Sequence, residues 1–234
     1  MNLFANIFKS SLGKKYIMAV SGCLLCLFVV AHLIGNLQVF LGQEYIDRYG
    51  NLLQTNIEIL WPVRVILIAL VVLHIWSAAA LSLENKAARP VEYAAYRPIG
   101  SSYASRTMLM SGFIVFAFII YHLLHFTAQV RYINLTGQNF KAFIDPQGRH
   151  NIFKMMVVGF SNGWVSAFYI LGVGLLCLHL SHGASSMFQS MGWRNATYRK
   201  FLDGAARVVA VLLFLGYISI PVAILLGYGK AALR

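Results

Sequence analysis

The stretch FIIYHLLHFTAQV, residues 118–130, is apolar except for two histidines three positions apart, His122 and His125. A buried imidazole is costly unless it finds a partner, and ionisable side chains inside membrane helices usually face the bundle interior and mark function. His32, His74, His179 and His182 also sit in apolar runs; His150 lies in a polar stretch and is expected to face solvent. Imidazole ligates a metal through one ring nitrogen while the other makes a hydrogen bond. Two imidazoles facing each other across a helical bundle can therefore hold a metal or a haem iron.

The segments that must position these residues are long and apolar. Of the 234 residues 59% are hydrophobic and 11% charged, with a mean hydropathy of +0.69. Soluble domains carry about 25% charged residues, and about 20 apolar residues span a bilayer core. The pattern predicts an all-α integral membrane bundle of five transmembrane helices in a single membrane domain. The spans cover about residues 16–40, 60–83, 107–130, 164–187 and 204–228. The residues before the first span are expected to lie on the surface as a short amphipathic helix, and that span to be a retained helix rather than a cleaved signal. The connection from Arg131 to Gly163 is expected to hold some interfacial structure. The net charge of +12 comes from basic residues between apolar runs. It fits lipid headgroups and cytoplasmic loops rather than nucleic acid. Eleven of the 19 Lys and Arg fall in the N-terminus and the second and fourth connections. That bias predicts a cytoplasmic N-terminus and an outside C-terminus. Cys23, Cys26 and Cys177 read as small buried hydrophobes, and there is no C-x-x-C-H for covalent haem attachment.

Counting about 1.5 Å per residue from the inner end of each span gives depths of about 24 Å for His32, 22 Å for His122, 14 Å for His74 and 12 Å for His179. These are two levels, each with one histidine from each of two spans. Two imidazoles per level favour a bis-histidine haem b over zinc, which usually takes four Cys or His ligands. The bland alternative is four core histidines bonded to backbone, Ser or Thr. The first span reads SGCLLCLFVVAHL and the third SGFIVFAFIIYHL; in both, Ser-Gly is followed by nine residues and then His. This repeat sets His122, not His125, in register with His32. It also puts Gly22 and Gly112 at matching depths, where a helix or a flat ring could approach. His125 is expected to snorkel, the alternatives being a propionate cap or a quinone-pocket lining. In CLHLSHGASS, His179 matches the depth of His74, and His182, beside Ser181 and Ser185, is expected at the polar edge of the site.

These residues resemble a family: the dihaem cytochrome b membrane subunit of succinate dehydrogenase and quinol:fumarate reductase, of the five-helix single-chain type. The resemblance runs from about Met18 to Gly183 through FVVAHLIGN, LVVLHIWSA, SGFIVFAFIIYH and FYILGVGLLCLHLSHG. It implies a distal haem held by His32 and His122 and a proximal haem held by His74 and His179. It also implies a flavoprotein subunit with FAD and an iron–sulfur subunit on the cytoplasmic face, where the succinate chemistry occurs. Electrons then pass through the haems to or from a quinone, usually menaquinone, in a bacterial cytoplasmic membrane. The resemblance leaves open a dimer of the whole complex. Lys14, Lys15, Arg97 and Arg106 are candidates near the proximal haem. For a quinone site coupled to protons, a carboxylate near the outer edge is needed. Glu58 and Asp47 are favoured over Glu44 and Asp145. No Asp or Glu lies within a predicted span, so the buried helix glutamate thought to return protons in some dihaem fumarate reductases has no counterpart near Cys177.

Two rival readings exist. One is the cytochrome b subunit of a hydrogenase or formate dehydrogenase, which often carries two histidines on one helix. The other is a cofactor-free transporter, against which the scarcity of buried carboxylates counts. The register argument predicts that His122→Ala loses the distal haem and His125→Ala keeps both, as counted from reduced-minus-oxidised spectra. The reverse result would show the register to be wrong.

Overall fold

The computed structural model describes residues 3–88 and 106–233. It is all-helical, and the described residues hold no strand, only one antiparallel bridge between Ile144 and His150. In chain order the helices are α1 (Leu3–Lys9), α2 (Ser11–Leu37), α3 (Gln43–Thr55), α4 (Ile57–Ala87), α5 (Met108–His122), α6 (Ile152–Ser161), α7 (Gly163–Ser190) and α8 (Arg199–Leu225). A 3₁₀ turn, Gln38–Leu41, extends α2, and a π turn, Leu123–Thr127, extends α5.

Five of these segments are long and apolar enough to cross a membrane, with mean hydropathies of 1.8 to 2.7. Their outward surface is apolar too: Ile34, Leu171 and Leu212 are each more than 60% exposed. Such a surface belongs in lipid, since a water-soluble protein rarely exposes large contiguous apolar patches. The chain is thus a multi-pass helical membrane protein. Helices α4 and α7 outrun the predicted spans at both ends and α2 and α8 at their N-terminal ends, whereas α5 with its π turn stops at Thr127, short of the predicted 130. As a result Glu58 and Glu84 fall in α4 and Asp203 in α8, although no acidic residue was expected within a span. Helical hydrogen bonding continues past the hydrocarbon edge wherever good helix formers follow, and LENKA at the end of α4 is such a sequence.

The chain divides into two compact units, and the division falls inside each of the five long helices. The first unit comprises Met1–Phe28, Arg64–Gly112 and Leu178–Ala210. Two ion pairs lie among its described residues. Lys14 is 7% exposed and forms an ion pair with Glu84, while its ammonium also donates to the Lys9 carbonyl at 3.1 Å. Ser11 Oγ donates to the other Glu84 oxygen at 3.0 Å. Arg194 meets Asp203 with two nitrogens, at 2.8 and 3.0 Å. Lys14 is therefore tied to a carboxylate of the chain itself. Lys15 and Arg106 are exposed, and Arg97 lies outside the described residues.

The second unit comprises Val29–Val63, Phe113–Cys177 and Val211–Arg234. Here the connection expected to be interfacial folds into a 3₁₀ turn, Phe140–Ala142, and α6, which is buried along most of its length. Phe140, Met155 and Val158 make a small core with Phe126, Phe143 and Ile152. Burying a side chain the size of Phe contributes about 1.5–3 kcal/mol. The N-terminus of α6 is held by two side chains: Asn151 accepts from the Lys154 N–H, and fully buried Asp47 accepts from the Phe153 N–H at 2.9 Å. Helix N-termini leave unpaired N–H groups that a carboxylate suits well. Beside them Arg149 binds Glu44 with both terminal nitrogens, at 3.0 and 2.6 Å, and Asp145 through Nε at 2.6 Å. Elsewhere in this unit Tyr217 donates to the Val29 carbonyl at 2.6 Å and Tyr228 to the Val39 carbonyl at 2.8 Å. A Cβ on Gly172 would lie 2.4 Å from the Phe118 ring, so glycine is what lets α7 pack there.

The carboxylates of this unit respond to acid in opposite senses. The Arg149 hydrogen bonds hold Glu44 below its ordinary value of 4.5. At Asp145, burial works to raise the pKa but is outweighed by the Arg149 N–H and guanidinium. Burial pushes Asp47 above its ordinary range, against the Phe153 N–H. A depressed carboxyl contributes stability above its unfolded pKa and loses it as pH falls through the folded one. A raised carboxyl does the reverse, its contribution fading as pH rises. The melting temperature in detergent should therefore drop as pH falls below about 4.5. Arg149→Leu should lower it at neutral pH and flatten that acid limb. An acid limb unchanged in the variant would refute this.

Candidate functional site

The structure brings the four histidines of the two predicted levels into two facing pairs. In the second unit the rings of His32 (α2) and His122 (α5) have centroids 5.7 Å apart and planes crossing at 83°. In the first unit His74 (α4) and His179 (α7) have centroids 6.3 Å apart and planes at 68°. All four rings are half-buried. Two imidazoles binding one metal from opposite sides, each with a metal–nitrogen bond of about 2 Å, have centroids about 6 Å apart. Both pairs have that spacing. No cluster of three or more His, Cys, Asp or Glu with metal-holding geometry occurs among the described residues. Each pair could supply two ligands to one metal ion. That is the donor set a porphyrin iron takes.

The other ring nitrogen is held in at least three of the four. Ser21 Oγ lies 3.3 Å from His74 Nδ1, which also lies 3.2 Å from the Met18 carbonyl. Ser111 Oγ lies 3.2 Å from His179 Nδ1. Tyr169 Oη lies 3.3 Å from His122 Nδ1. Hydrogen bonding at Nδ1 fixes the tautomer and leaves Nε2 for a metal. These contacts explain the repeated Ser-Gly. The dipeptide does not serve the histidine ten residues further along its own helix but the one on the next of the five long helices, α4 for Ser21 and α7 for Ser111. A Cβ on Gly22 would stand 3.0 Å from His74 Cε1, and one on Gly112 would stand 3.6 Å from His179 Cε1. At Gly22 glycine lets the backbone come up to the imidazole that serine bonds, whereas at Gly112 an added Cβ would make ordinary van der Waals contact.

Two expectations require correction. His125 does not snorkel: it is fully buried, with its ring 4.0 Å from that of Phe126 and its Nδ1 3.0 Å from Tyr169 Oη. The π turn after His122 and the folded connection enclose it, and neither was visible as a hydropathy pattern. His150 does not face solvent. It is half-buried, and its Nε2 lies 3.0 Å from the Phe140 carbonyl, because the connection closes on itself. His182 Nε2 lies 3.1 Å from Ser186 Oγ, one turn further along α7. Tyr169 was missed altogether. The signal available for it was a lone hydroxyl in the apolar run FYILGVG, ten residues before His179.

The four carboxylates weighed for a quinone site are now placed. Asp47 caps α6, Glu44 and Asp145 bind Arg149, and Glu58 is exposed in the first turn of α4. The three cysteines are free thiols, with Cys177 buried and Cys23 and Cys26 half-buried.

The unequal support of the His74–His179 pair has a measurable consequence. Ser21→Ala leaves His74 with the Met18 carbonyl, whereas Ser111→Ala takes the one hydrogen-bond partner seen for His179. Loss of such a partner typically costs 10–100-fold in metal affinity. Haemin titration of the purified chain should show a loss of that order for Ser111→Ala and a clearly smaller one for Ser21→Ala. Equal losses would refute the assignment.

Comparison with protein-family models, with curated proteins and with solved structures finds no match for this chain.

Proposed function

We propose that this chain is the membrane anchor and electron-transfer subunit of a succinate:quinone oxidoreductase (complex II). In this reading it holds two haems b and contains none of the succinate chemistry, which belongs to flavoprotein and iron–sulfur partners on the cytoplasmic face. The observation that carries the reading is the presence of two facing imidazole pairs, one in each compact unit, drawn from alternate spans. The motif resemblance on the same four histidines names the complex.

A haem held by two imidazoles supplies a one-electron iron couple whose potential depends on axial ligands, burial and hydrogen bonds. The residues of the chain provide the rest. His32 and His122 form one clamp; His74 and His179 form the other. Ser21, Ser111 and Tyr169 hold the ring nitrogens opposite the ligating ones. The apolar helix walls keep water from the ring faces. Of the quinone-site candidates, Glu58 is the one with an exposed carboxylate and no hydrogen bond seen among the described residues, so it is the best placed to exchange a proton with a bound quinol. The reading also places the complex in a bacterial cytoplasmic membrane with the N-terminus inside and menaquinone as the electron partner.

The rival with two ligands on one helix is not favoured by the geometry, since the ring of His125 packs among aromatic residues and that of His182 pairs with Ser186. The deciding experiment is isolation of the native complex with its pigments and subunits identified. Two haems b per chain, with flavoprotein and iron–sulfur partners, are expected. Ring planes crossing at 83° and 68° further predict strongly anisotropic low-spin EPR signals from both oxidised haems. A pigment-free chain, or partners of another enzyme class, would overturn the proposal.

A further inference from the structure

His125 and Tyr169 are built into the second unit at some cost. His125 is wholly buried, and its Nε2 has no hydrogen-bond partner. A buried polar atom without a partner is rare enough to require a reason. The ring sits on a π turn, a distortion found mostly at functional sites. Its surroundings are aromatic: Tyr121, Phe126, Phe140 and Tyr169 all have ring centroids within 6 Å. On the far side, α6 comes so close at Gly159 that an added Cβ would lie 3.1 Å from Phe126 and 3.3 Å from His125 Nε2. Leucine or phenylalanine would fill such a space without an orphaned nitrogen. What they would lack is Nδ1, which lies 3.0 Å from the Tyr169 hydroxyl. Tyr169, itself 6% exposed, lies 3.3 Å from His122 Nδ1 through that same hydroxyl.

The three groups form a relay whose polarity follows from hydrogen-bond capacity. A phenol carries one proton to donate and can accept others. If His122 binds iron through Nε2, its Nδ1 carries the proton and donates to Tyr169 Oη. The hydroxyl must then donate onward, and His125 Nδ1 is the acceptor. The one remaining proton sits on His125 Nε2, the atom left without a partner. The orphaned nitrogen is thus the consequence of presenting Nδ1 as an acceptor.

Resting on the haem reading above, we infer that Tyr169 and His125 are positioning residues for His122. They fix the tautomer of its ring and, by accepting its Nδ1 proton in a hydrogen bond, make it a more basic ligand. A more basic imidazole favours oxidised iron and lowers the potential of that haem. The partner level uses serine hydroxyls and a backbone carbonyl for this task, so the relay acts on one haem of the two.

The test is redox titration of the purified full chain, with haem counted. The affected haem is identified as the one absent from His122→Ala. Tyr169→Phe keeps the ring volume and should retain both haems. It should raise the potential of that haem by about tenfold in the oxidised-to-reduced ratio, 59 mV for one electron, and leave the other unmoved. His125→Gln keeps an acceptor for the tyrosine hydroxyl and should stay near wild type; His125→Leu should shift the same haem upward. Because His125 acts through Tyr169, the double variant should shift no further than Tyr169→Phe alone. Unchanged potentials in Tyr169→Phe, equal potentials in His125→Gln and His125→Leu, or additive shifts in the double variant would each overturn the inference. Fewer than two haems in the wild-type chain would instead sink the functional reading on which it stands.

Discussion

An imidazole ring placed among apolar side chains is costly unless its nitrogens find partners, and the packing around the paired histidines follows from that constraint. Each pairing found here assigns the two nitrogens to different tasks. One is taken by serine, tyrosine or a backbone carbonyl; the other is left to the facing ring and whatever lies between. The helices supply the partners at short range, with close backbone approach at Gly22 and tight ring packing at Gly172. Each unit is organised around one pair of rings.

The two units meet the requirement with different materials. Around His74 and His179 the polar partners are serine hydroxyls and a backbone carbonyl, and the same unit holds the ion pairs Lys14–Glu84 and Arg194–Asp203. Around His122 the partner is a phenol, with a second buried histidine behind it and a wall of aromatic rings. That wall is completed by α6, which stays in place through the Asp47 carboxylate at its N-terminus and the Arg149 cluster beside it. A charge arrangement outside the spans is therefore linked by packing to the surroundings of a histidine inside one.

Much of this was legible in the sequence. Five apolar runs of sufficient length, histidines at two depths and a repeated Ser-Gly motif are all one-dimensional signals, and helix periodicity converts them directly into depth and register. The boundaries were less accurate, because hydropathy reports the hydrocarbon core while the helices continue past it, to Ala87 in α4 and from Arg199 in α8. The fate of His125 and His150 was not legible. It depends on a π turn and on a connection that folds back on itself, both set by tertiary contacts such as Phe140 against Met155 and Val158. The role of Ser-Gly was read only in part. The repeat was visible, but that each copy serves the neighbouring helix is a fact of packing and not of spacing.

The two Ser-Gly copies have one more use. Ser21 and Ser111 face their imidazoles at 3.3 and 3.2 Å on the same backbone plan, yet a main-chain oxygen assists only the first ring. The molecule therefore contains its own control. Any treatment that reaches both copies alike, whether detergent, lipid or temperature, cancels in their difference, and what survives is the worth of a single carbonyl.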